Sequence, residues 1–168
     1  MLSAFLKRLL FARQFYMING KIEVLGVKQI MLPSDLVLDI QNINNKKIYE
    51  ITKNGILENI KLLSKKLGAS QEGMLKVIEE LYETIGTGSL KIIDLDNKNK
   101  KGIVRIFNSP LAESSLTKNK RSKEVVCYSI SGILAGMFSF LFNDNIDAQE
   151  KICLAQGKEY CEFIIKKR

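Results

Sequence analysis

QEKICLAQGKEYCEF, residues 149–163, carries two cysteines eight positions apart, a glycine between them and an acid three positions before the first. If the flanking runs are the strands of a hairpin centred on Gly157, Cys153 and Cys161 stand opposite one another, with Cβ atoms about 4.5–5.5 Å apart. That spacing suits a shared metal ion, a disulfide after slight closure, or two buried thiols. Two residues alone do not choose among the three. Glu150 and Cys153 are an odd number of positions apart and would face opposite sides of a regular strand, so Glu150 has to precede the strand or sit beside a bulge. The third cysteine, Cys127, opens an uncharged helical stretch; with Glu150 and the hairpin pair it would complete a tetrahedral shell of mixed hard and soft ligands. There is no histidine in the chain. Ser-His-Asp and Cys-His relays, His-ligated zinc and His-ligated haem are therefore excluded.

Upstream, Val125–Phe142 runs 18 residues without a charge, the lower edge of a membrane span. Ser129, Ser131, Gly132, Ala135, Gly136 and Ser139 put small residues along one side, which reads instead as a buried helix approached closely by a sheet or a partner. Before it, SLKIIDL (89–95) and GIVRIF (102–107) are strand-like runs joined by a charged turn. Asn108-Ser109-Pro110 ends the second run, because proline has no N–H to give to a ladder, and a polar loop extends to Lys123. Further upstream, the periodicity predicts a helix over Lys47–Leu67 stopping at Gly68, another from Ser70, and a short one in PSDLVLDIQNI (33–43). Asn19-Gly20 within FYMINGKIEVLG (15–26) predicts a two-stranded hairpin. The pattern is that of an α+β fold, an antiparallel sheet packed against helices. With 168 residues the chain is read as a single domain, 1–86 mostly helical and 87–168 forming the sheet core.

In the opening MLSAFLKRLLFARQFYM, Leu2, Phe5, Leu6, Leu9 and Leu10 share one helical face. Lys7, Arg8 and Arg13 interrupt the apolar run and no cleavage site follows, so a cytoplasmic, unexported protein is expected. The apolar stripe suits docking on the body or on a second copy, a homodimer. Lys plus Arg exceed Asp plus Glu by 26 to 18. The excess sits in turns and tails (Lys98, Lys100 and Lys101; Lys118, Lys120, Arg121 and Lys123; Lys166, Lys167 and Arg168) and reads as solvated loops. Neither a tryptophan nor a nucleic-acid motif organises it.

IVRIFNSPLAES (103–114), VCYSISGILAGMFSFLF (126–142) and EKICLAQGKEYCEF (150–163) resemble the 4-vinyl reductase domain, a small-molecule-binding module similar in fold to transport-protein-particle subunits. In relatives that sense phenols, zinc is held by Cys, Glu, Cys and Cys, and the spacings match here. The resemblance implies a closed, structural zinc site at Cys127, Glu150, Cys153 and Cys161. It also implies an apolar or aromatic ligand, with Phe107, Tyr128, Ile133, Met137 and Phe163 as candidate pocket lining. Phenol itself is not expected, since no histidine is present to contact it. Sensor relatives add an ATPase and a DNA-binding segment for which 168 residues leave no room, so a stand-alone regulatory module is expected. The alternatives are a scaffold or tethering protein of the same fold and an accessory of vinyl-reductase chemistry. No glycine-rich dinucleotide fingerprint follows a strand, so no catalytic residue is assigned.

Overall fold

The computed structural model describes residues 3–68 and 70–168. The chain forms two compact units, Met1–Pro33 and Ser34–Arg168.

In the first unit, α1 (Ala4–Phe11) starts at Ser3, whose hydroxyl accepts the Leu6 N–H at 3.1 Å. Leu9 is buried, Phe5 and Leu6 are half-buried and Leu10 is exposed; Leu2 lies outside the described residues. A three-stranded antiparallel sheet follows, β1 (Phe15–Ile18), β2 (Lys21–Val24) and β3 (Val27–Gln29). Asn19 and Gly20 both take positive φ, 50° and 73°, the turn that matches the twist of a tight hairpin. Leu25 and Gly26 repeat it at 53° and 78° and add β3, a strand the sequence reading lacks because leucine is an unfavourable residue at positive φ.

The second unit contains α2 (Ser34–Ile43), α3 (Asn45–Leu67), α4 (Gln71–Thr84), β4 (Ser89–Asp96), β5 (Lys101–Phe107), α5 (Pro110–Asn119), α6 (Tyr128–Phe142), β6 (Ile146–Ile152) and β7 (Cys161–Lys167). Its sheet has the order β4-β5-β7-β6 with every neighbouring pair antiparallel. The expected fold class is what forms. The strands alternate: Val104, Ile106, Cys161, Phe163 and Ile165 are buried and their neighbours are part-exposed, so one face carries the core.

α6 packs against both α3 and β6, and most of its side chains are buried. The small-residue stripe faces α3, a helix of the same chain, rather than a sheet or a partner. A Cβ added to Gly136 would lie 2.5 Å from the Lys53 carbonyl oxygen, and one added to Gly132 would collide with Thr52 and Tyr49. No described helix is long and apolar enough to cross a membrane.

Residues 110–119, read from sequence as part of a polar loop, are helical as α5. Proline is at home at the first helical position, where its missing N–H costs nothing, and Glu113 lies in the first turn, where the helix dipole favours a negative charge. Several lysines of the basic clusters are paired: Lys100 and Lys167 both reach Asp144 at 2.8 Å, and Lys118 reaches Asp39 at 2.7 Å.

Candidate metal centre

The C-terminal hairpin builds half of the site. Glu150 pairs with Phe163 while Ile152 pairs with Glu162, so β6 carries one extra residue against β7. That bulge restores the parity that three intervening positions would otherwise break, and Glu150 comes to the side of the sheet that Cys153 occupies. The chain then leaves the ladder through a 3-10 turn, Leu154–Gln156, closed by Gly157 at φ 80°. The Gln156 side-chain carbonyl accepts the Cys153 N–H at 3.1 Å and fixes the turn. β7 opens at Cys161, which places its sulfur 3.8 Å from that of Cys153.

Cys127 arrives from the other direction, as the residue preceding α6. A residue there normally caps the helix with its own side chain. Cys127 makes no such bond, and Gln41 of α2 does the work instead. Gln41 is completely buried; its oxygen accepts from the Ser129 N–H at 3.2 Å and from the Ser129 hydroxyl at 2.9 Å, while its amide donates to the Val126 carbonyl. The Cys127 sulfur is thereby released towards the hairpin, 3.9 Å from Cys153 and 3.7 Å from Cys161. The sequence reading did not single out Gln41. Its signal was a polar residue in the apolar register of a short helix, which the contacts of α6 alone explain.

Glu150 closes the group. One carboxylate oxygen accepts the Cys127 N–H at 2.8 Å, and the other is buried without a hydrogen-bond partner. All three thiols are free and fully buried, and Glu150 is 7% exposed. The four ligand atoms lie within 4.8 Å of one another, a set able to hold a metal ion. The geometry discriminates among the readings left open by the spacing. Sulfurs 3.7–3.9 Å apart are far from a disulfide bond of about 2.05 Å. They also form a nearly equilateral triangle. The edge of a tetrahedron is about 1.63 times its centre-to-corner distance, so a centre would lie about 2.3 Å from each sulfur, a metal–thiolate length.

The electrostatics point the same way. Burial, followed by the charge of Cys153, pushes the Glu150 carboxyl up to about 8. Hydrogen bonds to Cys153 and Cys161, together with burial, push the Cys127 thiol up. Cys153 is drawn down because the thiols of Cys127 and Cys161 both donate to it. Without a cation the cluster therefore keeps protons; four ionised ligands need a compensating positive charge.

The candidate pocket residues separate. Phe163 is fully buried on the inner face of the sheet and Met137 is buried on α6. Phe107 follows Val104 and Ile106 at odd register and lies on the opposite face, 5.6 Å from the Tyr160 ring and 5.2 Å from the Lys91 amine. Ile133 is half-buried on α6. Tyr128 alone of the five borders a described cleft, one of ≈ 360 Å³ between the starts of α3 and α6 and strand β6, whose walls include Tyr49, Val125, Ala148 and Glu150. A second cleft of ≈ 550 Å³ is polar, with Lys53, Lys61 and Asp144 among its walls.

An antiparallel sheet wrapped on a buried helix, with a Cys-Glu-Cys-Cys cluster where helix and hairpin meet, defines a ligand-binding α+β class. Residues 103–167 match the 4-vinyl reductase domain family, and the chain carries that domain. The whole chain is similar to the phenol-responsive sensory domain of the transcription activator PoxR, solved with phenol: TM-score 0.78 at 17% identity, covering 99% of this chain and 92% of that one. A vinyl-4-reductase family protein from Methanocaldococcus jannaschii aligns at TM-score 0.54 and 23% identity over 100% and 97% of the two chains. Trafficking protein particle complex subunit 3 from Naegleria fowleri, covalently bound to palmitic acid, aligns at 0.55 and 12% over 80% and 95%. At these identities the likeness is one of fold. No curated protein matches the sequence.

Proposed function

We propose that this protein is a small-molecule-binding regulatory module whose C-terminal half is held in shape by a structural zinc ion. The observation that carries the reading is the shared position of Glu150, which belongs to the thiol cluster and also walls the ≈ 360 Å³ cleft. Zinc suits the ligands: three thiolates and a carboxylate are a donor set it accepts, and the sulfur triangle has its bond length. Cys127, Glu150, Cys153 and Cys161 would hold it. With four protein ligands the shell has no open position for a reacting water, so the ion supplies a cross-link rather than catalysis.

The cleft is walled by two tyrosine rings and small apolar side chains, which favours a small apolar or aromatic ligand. The PoxR sensory domain, of the same fold, was solved with phenol. A ligand seated beside Glu150 would press on the start of α6, the element that the metal ties to the hairpin. A cytoplasmic location agrees with three thiols kept reduced, and a homodimer remains our reading of how such a module reports its ligand. The tethering alternative is disfavoured by chemistry: an acyl chain carried on a thiol needs a free cysteine, and all three lie in the cluster.

The test is calorimetric titration with phenol and with larger alkyl-substituted aromatics, paired with native mass spectrometry of gently purified protein. Saturable binding by one of them, weakened by Tyr128→Ala, supports the ligand reading. Absence of binding and of any copurified ligand overturns it.

A further inference from the structure

Ser109 occupies the position preceding α5, where a serine hydroxyl ordinarily accepts a helix N–H. Here it makes no capping bond, although its backbone carbonyl accepts the Glu113 N–H at 3.0 Å and so starts the helix normally. The residue is completely buried. Its hydroxyl lies instead 3.7 Å from the sulfur of Cys127. A hydroxyl withdrawn from its local role and buried needs another partner to offset the lost water. At the hairpin end of the cluster, Cys161 has a comparable neighbour, because the Leu154 N–H donates to its sulfur at 3.3 Å.

We propose that Ser109 is a positioning residue of the metal centre, donating an O–H···S hydrogen bond to the Cys127 thiolate. This rests on the reading of the cluster as a metal site. A metal-bound thiolate carries no proton, so the hydroxyl must be the donor. The bond withdraws electron density from sulfur, stabilises the thiolate over the thiol and fixes the side-chain direction of the one ligand that comes from outside the hairpin. Second partners of metal ligands act in this way, and their loss costs roughly 10–100-fold in affinity. The arrangement also explains why Asn108-Ser109-Pro110 stands where it does. The strand β5 ends there, proline starts α5 without needing a cap bond to its own nitrogen, and the serine between them is free to face the cluster.

The experiment uses the full chain stripped of metal and reloaded with Co²⁺, whose thiolate-to-metal charge-transfer bands report the electron density on sulfur. Ser109→Ala is expected to move those bands to longer wavelength and to weaken metal binding about tenfold in competition with a chelator, with Ser109→Thr restoring both. Should the alanine variant fail to fold, Ser109→Gly is a second variant without a donor, tolerated by the extended backbone at this position (φ −69°, ψ 111°). Unshifted bands in a folded, cobalt-loaded donor-free variant overturn the proposal while leaving the metal site intact. A wild-type chain that takes up no cobalt overturns the metal reading itself.

Discussion

The Cys127 N–H donates to Glu150 at 2.8 Å, joining the start of α6 to the bulged strand β6 through a carboxylate whose second oxygen is buried without a partner. Such an oxygen beside three thiols is costly unless a cation sits among them. Purified protein is expected to contain about one zinc ion per chain. Elemental analysis checks this, and metal-free protein whose melting temperature is unchanged by added zinc counts against it.

The pH dependence of stability should change sign with the metal. In the metal-free protein Glu150 is raised to about 8, so between the ordinary carboxylate range and that value the folded state holds a proton that the unfolded state has lost. Stability then falls as pH rises through this window. In the loaded protein the ligands hold no protons while the unfolded thiols do, and stability rises with pH instead. Denaturant titrations at pH 5.5 and 7.5, with and without chelator, compare the two slopes.

Cys161→Ser removes a fully buried ligand that also accepts the Leu154 N–H. A loss of at least about 3 kcal/mol, with metal content falling in parallel, is expected. Soluble mutant protein with wild-type stability and zinc would contradict a role for this sulfur in the cluster.

Gly136→Ala puts a methyl 2.5 Å from the Lys53 carbonyl oxygen, a backbone atom that cannot swing aside. α3 and α6 must move apart, at a cost of about 1–3 kcal/mol or more. Gly55→Ala, on α3 with open space around the added carbon, is the control and should be neutral or slightly stabilising through helix propensity. Urea unfolding of both variants reads the difference.

Lys53 is buried on α3, 3.0 Å from Asp147, and also donates to Asn145 at 2.8 Å. Removing a buried partner costs about 3–5 kcal/mol, but the Asp147 side chain is 27% exposed and Arg168 lies 3.5 Å away. Lys53→Ala is therefore expected to cost roughly 2–3 kcal/mol, part of it recovered when Asp147→Asn is added. Chemical denaturation of the two variants checks the coupling.

The local elements were legible wherever one residue dictates a backbone shape or an unbroken period sets a face. Asn19-Gly20 produced its turn, α3 stopped at Gly68, and the two strand-like runs paired across their charged turn. The four cluster residues were legible through their types and spacing against a known domain. α5 was missed because Leu111 and Ala112 give too short an apolar signal to outweigh Ser114, Ser115, Thr117 and Lys118, although Pro110 marks where the helix begins. β3 was missed because its turn uses Leu25.

Sequence alone determined which groups are present: three thiols, no imidazole, a proline and a serine after β5, and small residues along α6. Tertiary structure decided which of them meet. The bulge in β6, the capping of α6 by Gln41 and the opposite facing of Phe107 and Phe163 depend on which strands and helices pack together, and an unpaired strand or isolated helix holds no such information. A side chain's neighbours across the fold set its charge, partners and exposure, so the chemistry of Glu150 and the release of the Ser109 hydroxyl exist only in the folded chain.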